Sequence, residues 1–301
     1  MLLVLLDQLD AGFIVAEAQI RNLLVMGIDV VPLAASARRA GYQVCAVDYF
    51  GDQDLKRLCR ESLSIVKQRI GETCGQLDKD FSSEALLQLA KDLLRKVEID
   101  AALLSSGLDD SSDVLFELDD LIPILGNHPN IVKKVRNKMK FFQELERLGI
   151  PHPLTAMAEN LKEARREAKK IGYPVLIKPS RSFGGAGIRK AESPQELEQA
   201  FQEASDFDEN VLVQEYVSGI AASASLISSA NGTITLTLNE QLLGMTEMGQ
   251  REPFGYCGNV VPLQVNKAVA TRCKGIVERV ASHFNLVGSN GIDFVISEEG
   301  V

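Results

Sequence analysis

Residues 174–188 read Pro-Val-Leu-Ile-Lys-Pro-Ser-Arg-Ser-Phe-Gly-Gly-Ala-Gly-Ile, and the rest of the chain is organised around them. An apolar, β-branched run ends on Lys178, and three glycines fall within four positions before a second apolar run begins. That order predicts a strand, a loop and a returning strand. The apolar residues fix the strand in a core, and Lys178 supplies a point charge at its end. Gly184, Gly185 and Gly187 remove side chains, so backbone N–H groups can approach an anion. The stretch is expected to form a flap over phosphates.

The chain has 301 residues, 46% hydrophobic and 24% charged, which allows one large or two ordinary domains with a real core. A formal charge of −9 argues against a chain that grips nucleic acid or an anionic membrane, so a phosphate ligand needs a specific pocket. Cys45, Cys59, Cys74, Cys257 and Cys273 are scattered, without a Cys-x-x-Cys pair, and only three histidines accompany them. This usage predicts reduced thiols in a cytoplasmic protein and neither a disulfide framework nor a zinc site. Residues 1–20 are apolar, but they lack a basic start and are interrupted by Asp7 and Asp10. They read as an amphipathic helix or a start-site extension, not a signal peptide, and no other run is long and apolar enough to span a bilayer.

From residue 23 onward, short apolar strands alternate with helical stretches. Strands are expected at 23–26, 44–47, 63–66, 101–104 and 122–125, with helices at 33–40, 83–97 and 112–118. Such alternation predicts a parallel sheet with crossover helices, so residues 21–127 are expected to form a Rossmann-like domain. Asp48 falls about where a ribose-binding acid would sit in a dinucleotide site. Gly27, however, stands alone where Gly-x-Gly-x-x-Gly is required, so the fingerprint fails and Asp48 reads as a strand-end residue.

Pro129 suits the first turn of a helix, and a second helix is expected over 137–148, stopped by Gly149. Pro151 and Pro153 keep the next segment extended. Helices follow over 159–171 and 193–204, the latter opened by a Ser193/Glu196 capping box with Pro194. Strands are expected at 211–215, 222–228 and 233–238, the last two joined by the hairpin signal Asn231-Gly232. A Gly-, Pro- and aromatic-rich loop covers 249–262, a long helix 267–284, and a last strand 291–296.

In this order the second half resembles the ATP-grasp superfamily, whose members bind ATP between two α+β subdomains and commonly ligate a carboxylate to an amine through an acyl phosphate. The resemblance covers roughly residues 127–301. Asn-Lys-Met-Lys-Phe-Phe at 137–142 is similar to the helix that presents the first ATP-contacting lysine, here Lys138. Tyr-Pro-Val-Leu-Ile-Lys-Pro-Ser at 173–180 is similar to the strand bearing the second, Lys178. Ser182, Gly184, Gly185 and Gly187 would form the flap. Val-Gln-Glu-Tyr-Val-Ser-Gly at 213–219 resembles the interdomain hinge, where Gln214, the Glu215 backbone and the Val217 N–H would read adenine. Asp293, in Gly-Ile-Asp-Phe-Val, matches a metal-ligating carboxylate for Mg²⁺ or Mn²⁺.

The resemblance implies an α/β chain with a Rossmann-like domain at 21–127 and an ATP-grasp domain at 128–301, its small subdomain at about 149–213. It also implies small-molecule carboxylate and amine substrates, with a homodimer left open. The wording at 32–41 and 254–259 is most similar to a largely archaeal, carboligase-like branch related to biotin carboxylase. Two departures accompany it. The ribose-holding acid expected after the hinge is replaced by a segment containing Ser223 and Ser225. The Glu-x-Asn strand that completes the magnesium site would begin where the chain ends, at Val301, so either the sequence is a fragment or that carboxylate is lacking. A carboxylase-type enzyme and an ATP-binding module without turnover are the alternatives. Arg251, whose planar fork suits a carboxylate or an acyl phosphate, is the candidate catalytic residue, and Glu240 and Asn259 are weaker candidates on the same side. His128, His152 and His283 lack ligand spacing.

Overall fold

A computed structural model describes residues 20–68, 71, 81–181, 184–298 and 300. The expected N-terminal amphipathic helix, Cys74 and Ser182 lie outside the described residues. Contacts divide the chain into two compact units. One comprises Met1–Arg136, Ser229–Asn231 and Leu286–Gly288, and the other Asn137–Ser228, Gly232–Asn285 and Ser289–Val301.

The first unit runs β1 (Asn22–Met26), α1 (Val31–Arg39), β2 (Gln43–Asp48), α2 (Gln53–Leu58), β3 (Glu61–Ser64), α3 (Ser83–Leu94), β4 (Ala101–Leu104), α4 (Ser112–Leu121) and α5 (Pro129–Arg136). Its sheet has the order β3-β2-β1-β4, and every pair is parallel. β1 is central and buried on both faces. Leu24 and Met26 join one apolar cluster with Leu86, Leu93 and Leu118, while Leu23 and Val25 join another with Ala34, Ala37 and Leu55. A strand covered by helices on both sides has to be apolar wherever it is buried, which is how Leu23 to Met26 of β1 are written.

The strand expected at 122–125 is reduced to a single parallel bridge between Ala102 and Ile124. Ile122 is still the cap of α4, and Pro123 has no N–H to add to the ladder. The short helix α2 escaped the sequence pattern because it buries only Leu55. Asp48, fully buried at the end of β2, accepts from the Gly51 N–H at 2.9 Å and from the Ser64 hydroxyl, so it closes the turn after β2. At the start of α1 the Asp29 carboxylate takes the Val31 N–H. An acid already stands where a dinucleotide would need phosphate, in agreement with the failed fingerprint.

The second unit opens with α6 (Lys138–Arg147), capped by Asn137, and β5 (Thr155–Ala158). α7 (Leu161–Ile171), β6 (Val175–Pro179), β7 (Arg189–Ala191), α8 (Pro194–Ser205) and β8 (Val211–Glu215) follow. They build an antiparallel sheet of order β5-β8-β6-β7. Val175, Ile177 and Val213 pack with Ala164, Ala168, Leu197 and Ala200 of the two helices, and this core fixes which face Leu176 and Lys178 present instead. Ser193 caps α8 as expected, accepting the Glu196 N–H, while the Glu196 carboxylate reaches one residue past the cap to the Glu192 N–H.

The hairpin is also present, as β9 (Ile220–Ser229) and β10 (Gly232–Leu243). After them come β11 (Tyr256–Val260), α9 (Lys267–His283) and β12 (Gly288–Ile296), in a sheet of order β11-β10-β9-β12. The stretch 249–262, expected to be all loop, thus contains a strand. β11 pairs with the far end of β10 through a bulge at Leu242/Leu243, and its half-exposed residues carry no apolar alternation.

Candidate functional site

Within the second unit, Lys178 sits near the end of β6, on the face opposite its helices. Its ammonium donates to Gln214 Oε1 at 2.6 Å. Gln214, on β8 and 6% exposed, passes the chain on by donating to the Thr155 hydroxyl at 2.8 Å, and Thr155 donates to the Pro153 carbonyl at 2.9 Å. Leu176 and Thr155 are both register partners of Gln214, so neighbouring strands aim these groups at one point. Burial, reinforced by the charge of Lys138 and opposed by Asp293, lowers the Lys178 pKa to about 8. The three side chains therefore share one electrostatic environment. Lys138 stands in the first turn of α6, at the positive end of that helix.

Asp293 lies on β12 among exposed alternate residues. Its Oδ1 accepts from Gln241 Nε2 of β10 at 2.9 Å. Crowding by protein raises its pKa, against the pull of the Gln241 hydrogen bond and of Lys178. Lys178 thus stands between the charge of Lys138 and a carboxylate that has one oxygen tied to Gln241, an arrangement suited to a polyanion with its counter-cation.

The glycines at 184, 185 and 187 all have positive φ, between +61° and +82°. At Gly185 a Cβ would lie 1.8 Å from the Phe254 carbonyl oxygen, whereas at Gly184 nothing stands within 4 Å. The Gly184 carbonyl accepts the Tyr256 N–H at 2.9 Å. The flap is therefore seated, backbone on backbone, against the segment entering β11.

At the hinge after β8, the Glu215 N–H donates to the Leu154 carbonyl and the Glu215 carboxylate accepts the Leu154 N–H. The Val217 N–H has no partner among the described residues. Gln214, expected at that edge, instead spends its amide on Lys178 and Thr155. Ser223 and Ser225, standing where a ribose acid was expected, accept from Asn239 at 3.2 and 3.1 Å. Arg251 is exposed on the loop that carries Phe254. His152 stacks on Phe142, and His283 pairs with Glu144.

Lys138, Lys178 and Asp293 are thus brought together, with Gln214 behind them. Gln241 and Thr155 were missed from the sequence. Nothing local marks either residue, since each gains its partner only by sheet pairing. Among the described residues no cluster of three or more His, Cys, Asp or Glu side chains could hold a metal.

The second unit's sequence matches the ATP-grasp domain family over residues 135–301, more than half of the chain, and the protein belongs to that family. An uncharacterized protein of Methanocaldococcus jannaschii is 27% identical over 292 residues, covering 92% of this chain and 65% of that protein. The carbamoyl phosphate synthase large chain of Methanobrevibacter smithii is 26% identical over 215 residues, covering 67% of this chain and 20% of that one. Among solved structures, the biotin carboxylase domain of Hydrogenobacter thermophilus 2-oxoglutarate carboxylase, in complex with MgADP, ADP and bicarbonate, aligns with a TM-score of 0.74 at 20% identity. It covers 94% of this chain and 62% of that one, so the chain spans less than two thirds of these relatives. The α/β architecture is the one these neighbours share. Among the described residues no helix is long and apolar enough to cross a membrane.

Proposed function

We propose that residues 128–301 bind ATP with Mg²⁺ or Mn²⁺, and that the protein is an ATP-dependent carboxylate–amine, or similar C–N, ligase. The observation that carries this reading is the shared environment of Lys138, Lys178 and Asp293 beside a glycine flap. Lys138 and Lys178 would neutralise the polyphosphate, residues 184–187 would cover it, and the hinge at Glu215 and Val217 would receive adenine. Asp293 would offer its second oxygen to the cation, which when bound neutralises charge on the phosphates.

In the reaction, a substrate carboxylate oxygen attacks the γ-phosphorus and the bond to ADP breaks. An amine then attacks the acyl carbon and phosphate leaves. Lysines and backbone amides stabilise the charge that shifts onto the transferred group, and no covalent enzyme nucleophile is required. Arg251 would grip the carboxylate or its acyl phosphate. In a second, carboxylase-type reading, bicarbonate takes the place of the carboxylate. The similarity to a carbamoyl phosphate synthase and the bicarbonate held by the biotin carboxylase neighbour favour it.

The test is thermal unfolding with nucleotide. ATP with Mg²⁺ raises the melting temperature and Lys178→Ala abolishes the rise, whereas no stabilisation of the unmutated protein by any nucleotide refutes both readings. ADP or phosphate release over panels of carboxylates and amines, with and without bicarbonate, then separates the two.

A further inference from the structure

The flap and the loop before β11 are joined by more than the Gly184–Tyr256 hydrogen bond. Arg189, the first residue after the flap on β7, donates through Nη1 to Glu252 Oε2 at 2.5 Å and through Nε to Glu203 on α8. Arg189, and to a lesser degree the Gly187 N–H, hold the Glu252 carboxyl below its ordinary value. Glu252 stands beside Arg251 in a loop that is bonded to itself and to the end of β10. Gln250 Oε1 accepts the N–H groups of both Arg251 and Glu252, the Gly255 carbonyl accepts the Gly244 N–H, and a Cβ at Gly244 would meet the Pro253 carbonyl oxygen at 2.1 Å. One guanidinium therefore links the flap, the helix behind it and the loop that presents Arg251.

We propose that Arg189 and Glu252 are positioning residues that make the flap and the Arg251 loop a single moving body, so that seating an anion under the flap also sets the substrate-side arginine. This deepens the reading above and rests on it for the identity of the anion and the role of Arg251. The mechanical claim stands on the contacts alone. Bidentate use of one planar guanidinium by two carboxylates gives geometric as well as electrostatic definition, which a lysine would not. The Gly185 backbone also lies directly against Phe254, where a Cβ would meet the carbonyl oxygen at 1.8 Å, so the two segments share one packed contact beside the ion pair.

The experiment is hydrogen–deuterium exchange on the full ligand-free chain. Glu252→Gln and Arg189→Gln are each expected to speed exchange of residues 184–189 and 250–256 together, by a common factor of roughly tenfold, while β6 and β8 stay protected. The double variant should match either single variant, because the two side chains act as one unit. Acceleration of only one segment, additive effects in the double variant, or no acceleration in variants that keep the parent melting temperature would overturn the proposal. Should a variant prove globally unstable, Arg189→Lys, which keeps the charge but loses the fork, has to show the same paired acceleration in milder form. If no nucleotide binds, the functional reading fails while this exchange pattern persists, so the two failures are distinguishable. If nucleotide does bind, ATP with Mg²⁺ should slow both segments together in the parent and separately in the variants.

Discussion

Replacing Lys178 by methionine isolates the electrostatic cost of placing an ammonium in this cleft. An unfolded lysine titrates near 10.4, whereas Lys178 is lowered to about 8 by burial and by Lys138. Between those values the unfolded chain keeps a proton that the folded chain has released, so stability rises with pH across the window. At about 1.4 kcal/mol per pH unit the displacement amounts to ~3 kcal/mol, present as a penalty below pH 8 and gone above pH 10.5. Methionine removes that penalty. It also strands the buried Gln214 Oε1, which costs ~1–3 kcal/mol at any pH. The variant should therefore equal or exceed the parent by ~0–2 kcal/mol at pH 7 and fall ~1–3 kcal/mol below it at pH 10.5. Urea unfolding of both proteins across pH 7–10.5, followed by circular dichroism, gives the difference curve. A flat difference would show that Lys178 is not desolvated in the fold and would remove the electrostatic argument for the site.

The adjacent glycines differ only in space, which makes them a matched pair. Gly184→Ala should cost about 1 kcal/mol for its positive φ, while Gly185→Ala adds a collision with the Phe254 carbonyl and should detach the flap, measured as a larger loss of nucleotide-induced stabilisation. Gln241→Leu deprives Asp293 of the hydrogen bond that lowers its pKa, so the carboxyl should titrate at higher pH in a carbon-detected NMR titration, and the Mg²⁺ concentration needed for nucleotide binding should rise.

Some of this was legible in the chain and some was not, for definite reasons. The parallel sheet followed from the alternation of strands and helices, because a strand covered on both faces is apolar along its buried length, as Leu23 to Met26 of β1 are. A boundary governed by a cap, such as Ser193 before α8, was equally readable. β11 was misread because its pairing depends on a free edge of β10 and not on apolar alternation, and the strand at 122–125 because Ile122 still caps α4 and Pro123 brings no N–H. The partners of Gln214 were hidden for a similar reason. Its neighbours across β8 are Thr155 and Leu176, and this register turns its amide toward Lys178.

The sequence alone determined the elements, the lysine-ended strand, the glycine positions and the family whose motifs they follow, since these depend on local propensity and on spacing along one strand or one turn. Only the tertiary structure decided which charges meet. Lys178 lies 40 residues after Lys138 and 115 before Asp293, and both act on its titration only because the fold brings a helix start and a strand of another sheet to it. The same holds for Gln241 on Asp293 and for Arg189 on Glu252. Such partners are set by sheet register and packing, in which a shift of one residue would send every side chain to the opposite face.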